Sequence, residues 1–216
     1  MLNPLLAERS RPLQILCLGA HSDDVEIGCG GTLLRLLQEY PQTGVTWVVL
    51  SAAGARVEEA RVSAARFLER SRHREVLIQS FPDGHFPYHG AAVKAYFESL
   101  KSLPAPDLIF THYRHDLHQD HRLVSELTWN TFRNHLILEY EIVKYDGDLG
   151  APNLFVPLSG AVAGNKIEIL LSSFATQADK AWFTEDTFSS ILRLRGVESN
   201  AQEKYAEAFY CRKLVL

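Results

Sequence analysis

The sequence predicts an α/β fold, a Rossmann-like three-layer sandwich with a mostly parallel sheet and helices on both faces. Three observations carry this expectation. Short apolar runs alternate with segments of helical periodicity from Leu13 to Phe132, the pattern of strand–helix–strand units. The runs are bounded by polar, glycine- or proline-bearing loops, as strands buried on both faces are. Two of those loops, after the first and fourth runs, are crowded with histidine and aspartate, and loops at the carboxyl ends of such strands are where open α/β sheets bind ligands.

Leu13 to Leu18 is the first predicted strand, followed by Gly19-Ala20 and then His21-Ser22-Asp23-Asp24. Gly28-Cys29-Gly30-Gly31 reads as a glycine-rich turn that opens a helix over Thr32 to Tyr40. Val45 to Leu50 is the second strand, and Arg56 to Glu69 a helix with Val57, Ala60, Ala64, Phe67 and Leu68 near one face. Glu75 to Gln79 is the third strand, stopped by the turn signal Phe81-Pro82-Asp83-Gly84. A helix over Ala91 to Leu100 ends at Pro104-Ala105-Pro106, and Asp107 to Thr111 is the fourth strand. Right-handed crossovers give the strand order 3-2-1-4, which places the loops after strands one and four on one crevice. A helix over Arg122 to Phe132 follows. Beyond it, Leu136 to Lys144 (charged, hence half exposed) and Asn153 to Pro157 are strand-like, and Lys166 to Phe174 and Thr187 to Gly196 helical. Val197 to Cys211 has no periodicity that assigns it.

The 216 residues fit a single domain spanning 1–216, with residues 1–12 as a loose lead-in, and suffice for a substantial core. A net charge of −4 gives no electrostatic reason to expect nucleic acid or an anionic membrane as partner. No apolar run is long enough to span a bilayer, and Met1 to Pro12 lacks the apolar centre of a signal peptide. Cys17, Cys29 and Cys211 match no zinc-ribbon spacing, and a reducing cytoplasm is the expected location.

The chemistry-bearing residues fall in the two crevice loops. His21 and Asp24 are suited to share a metal, leaving Asp23 free to act on a water. An Asx-turn with a helix cap accounts for such a run equally well. A dinucleotide loop does not: Gly28, Gly30 and Gly31 fail the G-x-G-x-x-G spacing, and strand two ends in Leu50-Ser51 with no acidic residue. The second loop carries His112, His115, His118 and His121 at spacing three, with Asp116 and Asp120. Its alternative reading is a solvated helix entrance capped by Asp120. Facing the first cluster across a switch point, it is better suited to metal binding.

These residues resemble the PIG-L/LmbE-like zinc-dependent N-deacetylases. Ala20-His21-Ser22-Asp23-Asp24-Val25-Glu26 and the Gly28 to Leu33 stretch are similar to that family's A-H-P-D-D-x-E and G-G-T helix start, and His118-Gln119-Asp120-His121 to its H-P-D-H. Arg56 through Ala65, Phe81-Pro82-Asp83 and Tyr205 to Phe209 resemble further family segments, so the likeness covers most of the chain. Ser22 and Gln119 replace prolines, and Asp116 stands where some members have a tyrosine. Arg133 and Lys144 are the candidates for a family arginine downstream of the third ligand.

The resemblance implies one Zn2+ per chain held by His21, Asp24 and His121, with other first-row divalent ions also admissible. It implies Asp23 as general base, His118 as a protonated oxyanion stabiliser kept charged by Asp120, and Tyr205 as a residue reaching the site. Arg56 and Asp83 match positions that bind sugar hydroxyls. The implied reaction is hydrolysis of the N-acetyl group of an acetylated amino-sugar, of N-acetylglucosamine type, or its conjugate. Homo-oligomers are the default for such enzymes, although no sequence stripe marks an interface. The alternatives are a metal-dependent amidase or esterase on a non-sugar substrate, and a sugar-binding protein without turnover. The last gains nothing from a base beside the metal. Glu26 is read as structural, His112 and His115 as pocket lining at best, and His85 and His89 as solvated.

Overall fold

The computed structural model describes residues 11–214; the expected lead-in lies, over residues 1–10, outside them. Seven strands form one sheet: β1 (Gln14–Gly19), β2 (Gly44–Val49), β3 (His73–Ile78), β4 (Leu108–His112), β5 (Leu136–Tyr140), β6 (Leu154–Leu158) and β7 (Tyr205–Cys211). Their order is β3-β2-β1-β4-β5-β7-β6. The first five strands are mutually parallel, and β7 runs antiparallel to both β5 and β6. The order 3-2-1-4 is thus present, and β1 and β4 are neighbours in register Ile15↔Leu108 to Cys17↔Phe110.

Among the described residues six α-helices cover the sheet: α1 (Asp24–Glu39), α2 (Ala55–Phe67), α3 (Gly90–Ser99), α4 (Gln119–Thr131), α5 (Gly160–Ser173) and α6 (Glu185–Glu198). Side chains alternate along the strands, so Ile15 and Cys17 of β1 enter one core with α1, α2, α5 and α6. Leu16 and Leu18 enter the other, against α3 and α4. Both faces of the central strands are therefore apolar, which is why their sequences are continuous apolar runs rather than alternating ones.

Two readings are corrected by the fold. The stretch Gly28-Cys29-Gly30-Gly31 is no turn: α1 starts at Asp24 and runs straight through it. The glycines are required by close packing, since a Cβ on Gly28 would lie 2.2 Å from the Tyr140 ring and one on Gly31 2.6 Å from Leu158. Tyr140 has little room to yield, because its hydroxyl donates to the Leu18 carbonyl at 2.6 Å and its ring packs against His112. Gly28→Ala is accordingly expected to lower stability by about 1–3 kcal/mol, the usual cost of overpacking a well-filled core. Urea unfolding measures it, and a loss below about 0.5 kcal/mol would mean that the ring moves freely.

The second correction concerns the charged run Leu136 to Lys144. Its strand stops at Tyr140, and Glu139 within it is buried. Glu139 accepts from Trp129 Nε1 and from the Arg114 N–H, and pairs with Arg212. The charges after Tyr140 belong to the loop that follows β5. The unassigned Val197 to Cys211 contains β7, which lies between β5 and β6.

Candidate metal centre

Strand β1 ends at Gly19, and the chain turns through Ala20 to Asp23 before entering α1. Asp23 is the N-cap residue of α1 but makes no side-chain cap hydrogen bond. Asp24 is fixed locally, its Oδ2 accepting the His21 N–H at 2.6 Å. So the Asx-cap reading does not account for the Asp23 carboxylate, which is 4% exposed and left facing the crevice residue Arg56. Across the crevice, α4 begins after His118, which is its N-cap residue: His118 Nδ1 accepts the Asp120 N–H at 3.3 Å.

The two loops bring His21, Asp24 and His121 together. His21 Nδ1 lies 3.2 Å from His121 Nε2 and 3.3 Å from Asp24 Oδ2. His121 Nε2 is 3.5 Å from Asp24 Oδ1. A tetrahedral cation with ligand bonds of the usual zinc length would hold donors roughly 3.3 Å apart. The outer ring nitrogens face carboxylates. His21 Nε2 is 3.1 Å from Asp83 Oδ1 and 3.2 Å from Asp120 Oδ2, and His121 Nδ1 is 2.9 Å from Asp116 Oδ2. A carboxylate draws the ring proton to the nitrogen it faces. Two imidazole nitrogens and an anionic carboxylate therefore meet at ligand spacing, a place suited to a cation. The donor set suits zinc.

In the protein alone a proton on His21 offsets the Asp24 charge, and a bound cation would take that proton's place. Burial works against ionisation of Asp24, yet the adjoining His121, His112 and His21 hold its carboxyl well below the usual range. Burial lowers the His21 pKa, but Asp24, Asp120 and Asp83 outweigh it and the ring holds a proton well above its ordinary value. His121 is pushed down to about 4 by burial and by His112, so its ring stays neutral. Asp23 is pushed up to about 6, first by burial and then by the charge of Asp24, with Arg56, His21 and Lys180 opposing.

The remaining expected site residues fall as follows. Arg56, near the start of α2, donates from Nε to Ser22 Oγ at 3.0 Å and from Nη1 to Asp83 Oδ2 at 3.1 Å, and its Nη2 lies 3.8 Å from Asp23 Oδ1. Asp83, half exposed after β3, contacts His21 as well. The His118 ring lies 4.9 Å from that of His21 and 4.6 Å from that of His121, centroid to centroid.

Asp120 does not hold His118 charged. Its carboxylate turns to the N–H groups of Gly84 (2.7 Å) and Phe86 (3.0 Å) and to His21. Burial and the neighbouring His21 charge leave His118 below its ordinary pKa. The turn after β3 supplies two backbone donors that claim the Asp120 carboxylate, whose charge still favours a proton on His118 but is outweighed. Tyr205 is also misplaced. The register of β7 sets it opposite Leu158 at the β6 edge, where its ring lies under Arg193, and among the described residues no ring contact joins it to the cluster.

Three residues have larger places than their sequence suggested. His112, the last residue of β4, is fully buried, with Nε2 3.2 Å from Asp24 Oδ2 and 3.0 Å from the Ala20 nitrogen. Its ring stacks on His121 at 3.9 Å, and Asp24, His112 and His121 form an alternative donor trio. Its position at the end of a strand beside β1 was the available signal. Asp116 contacts His121. Of the two downstream cations, Lys144 reaches this region through Asp116, whereas Arg133 lies in a cleft with Lys94, Glu98 and His135. His85, His89 and His115 are exposed, and Glu26 is fully buried beside Ser63.

Solved structures share this architecture. A conserved protein from Thermus thermophilus is 22% identical, with a TM-score of 0.72 over 94% of this chain and 96% of that one. N,N'-diacetylchitobiose deacetylase from Pyrococcus horikoshii is 19% identical, with a TM-score of 0.69 over 91% of this chain and 82% of its own. The 4-carboxy-2-hydroxymuconate hydratase of Pseudomonas putida KT2440 is 16% identical, with a TM-score of 0.73 over 94% and 98%. At these identities the likeness is one of fold, and the fold carries more than one chemistry. In sequence, residues 16–132 match the PIG-L family, described as GlcNAc-PI de-N-acetylase. With more than half of its length matched, from β1 past the whole His/Asp cluster, the chain belongs to the PIG-L family.

Proposed function

We propose that the protein is a zinc-dependent hydrolase that removes the N-acetyl group from an acetylated amino-sugar or its conjugate, giving the free amine and acetate. Family membership and the deacetylase among the structural relatives support hydrolytic N-deacetylation. The observation that carries the reading is the meeting of two imidazole nitrogens and Asp24 at ligand spacing, with Asp23 beside them and not among them.

His21, Asp24 and His121 would hold the metal, and three protein ligands leave the open position that a catalytic site needs. When bound, zinc would bring the pKa of a water to about 7 and polarise the amide carbonyl. Asp23 takes the proton of the attacking water; its burial and the adjacent Asp24 give it the near-neutral proton affinity that suits a base. Arg56 orients Asp23 and, with Asp83, offers donors and acceptors to sugar hydroxyls. His118 acts as a neutral ring: its Nδ1 accepts the Asp120 N–H, so its proton resides on Nε2, from which it donates to the oxygen that gains charge in the tetrahedral state.

No helix among the described residues is long and apolar enough to cross a membrane, and the proposed partner is a small molecule. The test is acetate and amine release from N-acetylglucosamine conjugates and, in parallel, from acetylated peptides. Turnover of the sugars is expected, abolished by a chelator and restored by Zn2+ or another first-row divalent ion. Turnover of the peptides alone would make the protein an amidase of another class. No hydrolysis of either by the zinc-loaded protein would favour a binding or hydration role.

A further inference from the structure

Behind His121, on the side away from Asp24, lies a closed and buried network that the deacetylation steps above do not use. His121 Nδ1 is 2.9 Å from Asp116 Oδ2. The other oxygen, Asp116 Oδ1, accepts the His118 N–H at 2.8 Å and lies 3.1 Å from Lys144 Nζ. Lys144 also pairs with Asp148, whose Oδ2 accepts the Leu117 N–H at 2.7 Å. The side chains of Asp116, Lys144 and Asp148 are 2%, 9% and 7% exposed.

Burying three charges carries a desolvation cost that their mutual attraction does not generally repay. The network is therefore weak evidence for stability, and what it orients is the more telling feature. A carboxylate facing Nδ1 fixes the ring proton there and leaves the Nε2 lone pair directed at Asp24 and His21. Without a cation on its far side, Asp116 would place a second negative charge close behind Asp24. Lys144 supplies that cation from the loop after β5, and the loop is braced in turn. Arg195 of α6 donates to Glu141 through Nε (3.0 Å) and Nη2 (2.9 Å) and to the Gly150 carbonyl (3.0 Å), while the Gly150 N–H donates to Glu141 (3.1 Å).

We propose that Asp116 and Lys144 are positioning residues for the third metal ligand: Asp116 fixes His121 as its Nδ1–H tautomer, and Lys144 holds Asp116 in that orientation. The inference rests on the reading of the cluster as a metal centre. It gives the loop after β5 a part in the site through Asp116.

The experiment measures zinc affinity by competition with a chromogenic chelator, the visible spectrum of the Co2+-loaded protein, and the His121 tautomer by 15N NMR of the metal-free wild type. Asp116→Ala is expected to bind zinc 10–100-fold more weakly, the usual worth of an outer carboxylate, and to alter the Co2+ spectrum. Lys144→Met is expected to weaken zinc binding about tenfold, and Lys144→Arg to restore it. Wild-type zinc affinity in Asp116→Ala, or an Nε2–H tautomer in the wild type, would overturn the proposal and leave the metal centre standing. The tautomer measurement decides even where Asp116→Ala fails to fold. A wild type that takes up neither zinc nor Co2+ would instead overturn the metal-centre reading, and this proposal with it.

Discussion

In Asp23→Asn, zinc content is expected to stay near one equivalent and substrate still to bind, while kcat falls by about 10²–10⁴, the usual worth of a positioned base. In Asp24→Ala, zinc itself is expected to be lost, and activity with it. The two side chains are neighbours in sequence but not in environment. Asp24 has both oxygens within 3.5 Å of histidine ring nitrogens, so its removal takes away the anion around which three imidazoles gather. Asp23 contacts none of those nitrogens; its nearest charged partner is Arg56, at 3.8 Å. An amide at that position keeps the shape but cannot accept the water's proton. Metal analysis and single-turnover kinetics on each variant separate the cases. Zinc lost from Asp23→Asn and kept in Asp24→Ala would reverse the assignments, and full activity in Asp23→Asn would remove the base from the mechanism.

That pair shows how far the sequence carries. The order β3-β2-β1-β4 and the meeting of the loops after β1 and β4 were legible, because strands buried on both faces write themselves as apolar runs. The pairing of His21 and Asp24 with His121, a hundred residues on, follows from that topology. What was not legible depends on which donors reach which acceptors. Asp120 faces Gly84 and Phe86 rather than His118, because the turn after β3 folds over it, and no local pattern announces that. The glycines of α1 looked like a loop because their reason lies in Tyr140 and Leu158, more than 100 residues away. Strand β7 was missed for another reason: Tyr205, Phe209 and Cys211 turn to the larger core, and Glu207 interrupts their apolar alternation.

Glu207 is also where the largest stability effect is expected. It is 3% exposed; its Oε1 accepts the Gly31 N–H at 2.8 Å and Lys166 Nζ at 2.6 Å, and its Oε2 accepts the Thr32 N–H at 2.6 Å. Lys166 Nζ donates as well to the Ile27 carbonyl at 2.6 Å. Ile27 and Gly31 are four apart, so the ion pair bonds to both ends of one rung of the α1 ladder, one turn beyond Asp24. Glu207→Ala leaves the Lys166 ammonium buried with a single carbonyl, and a loss of about 3–5 kcal/mol is expected. Lys166→Met should cost less, since the Glu207 carboxylate keeps both backbone N–H donors. In Lys166→Met/Glu207→Leu no charge is stranded. That double variant is expected to be more stable than Glu207→Ala, with a coupling energy well above the roughly 0.3–0.5 kcal/mol seen between independent sites. Urea unfolding of the wild type, Lys166→Met, Glu207→Leu and the double variant completes the cycle. Additive losses would mean that each side chain is held by its backbone partners alone, and that the ion pair contributes nothing of its own.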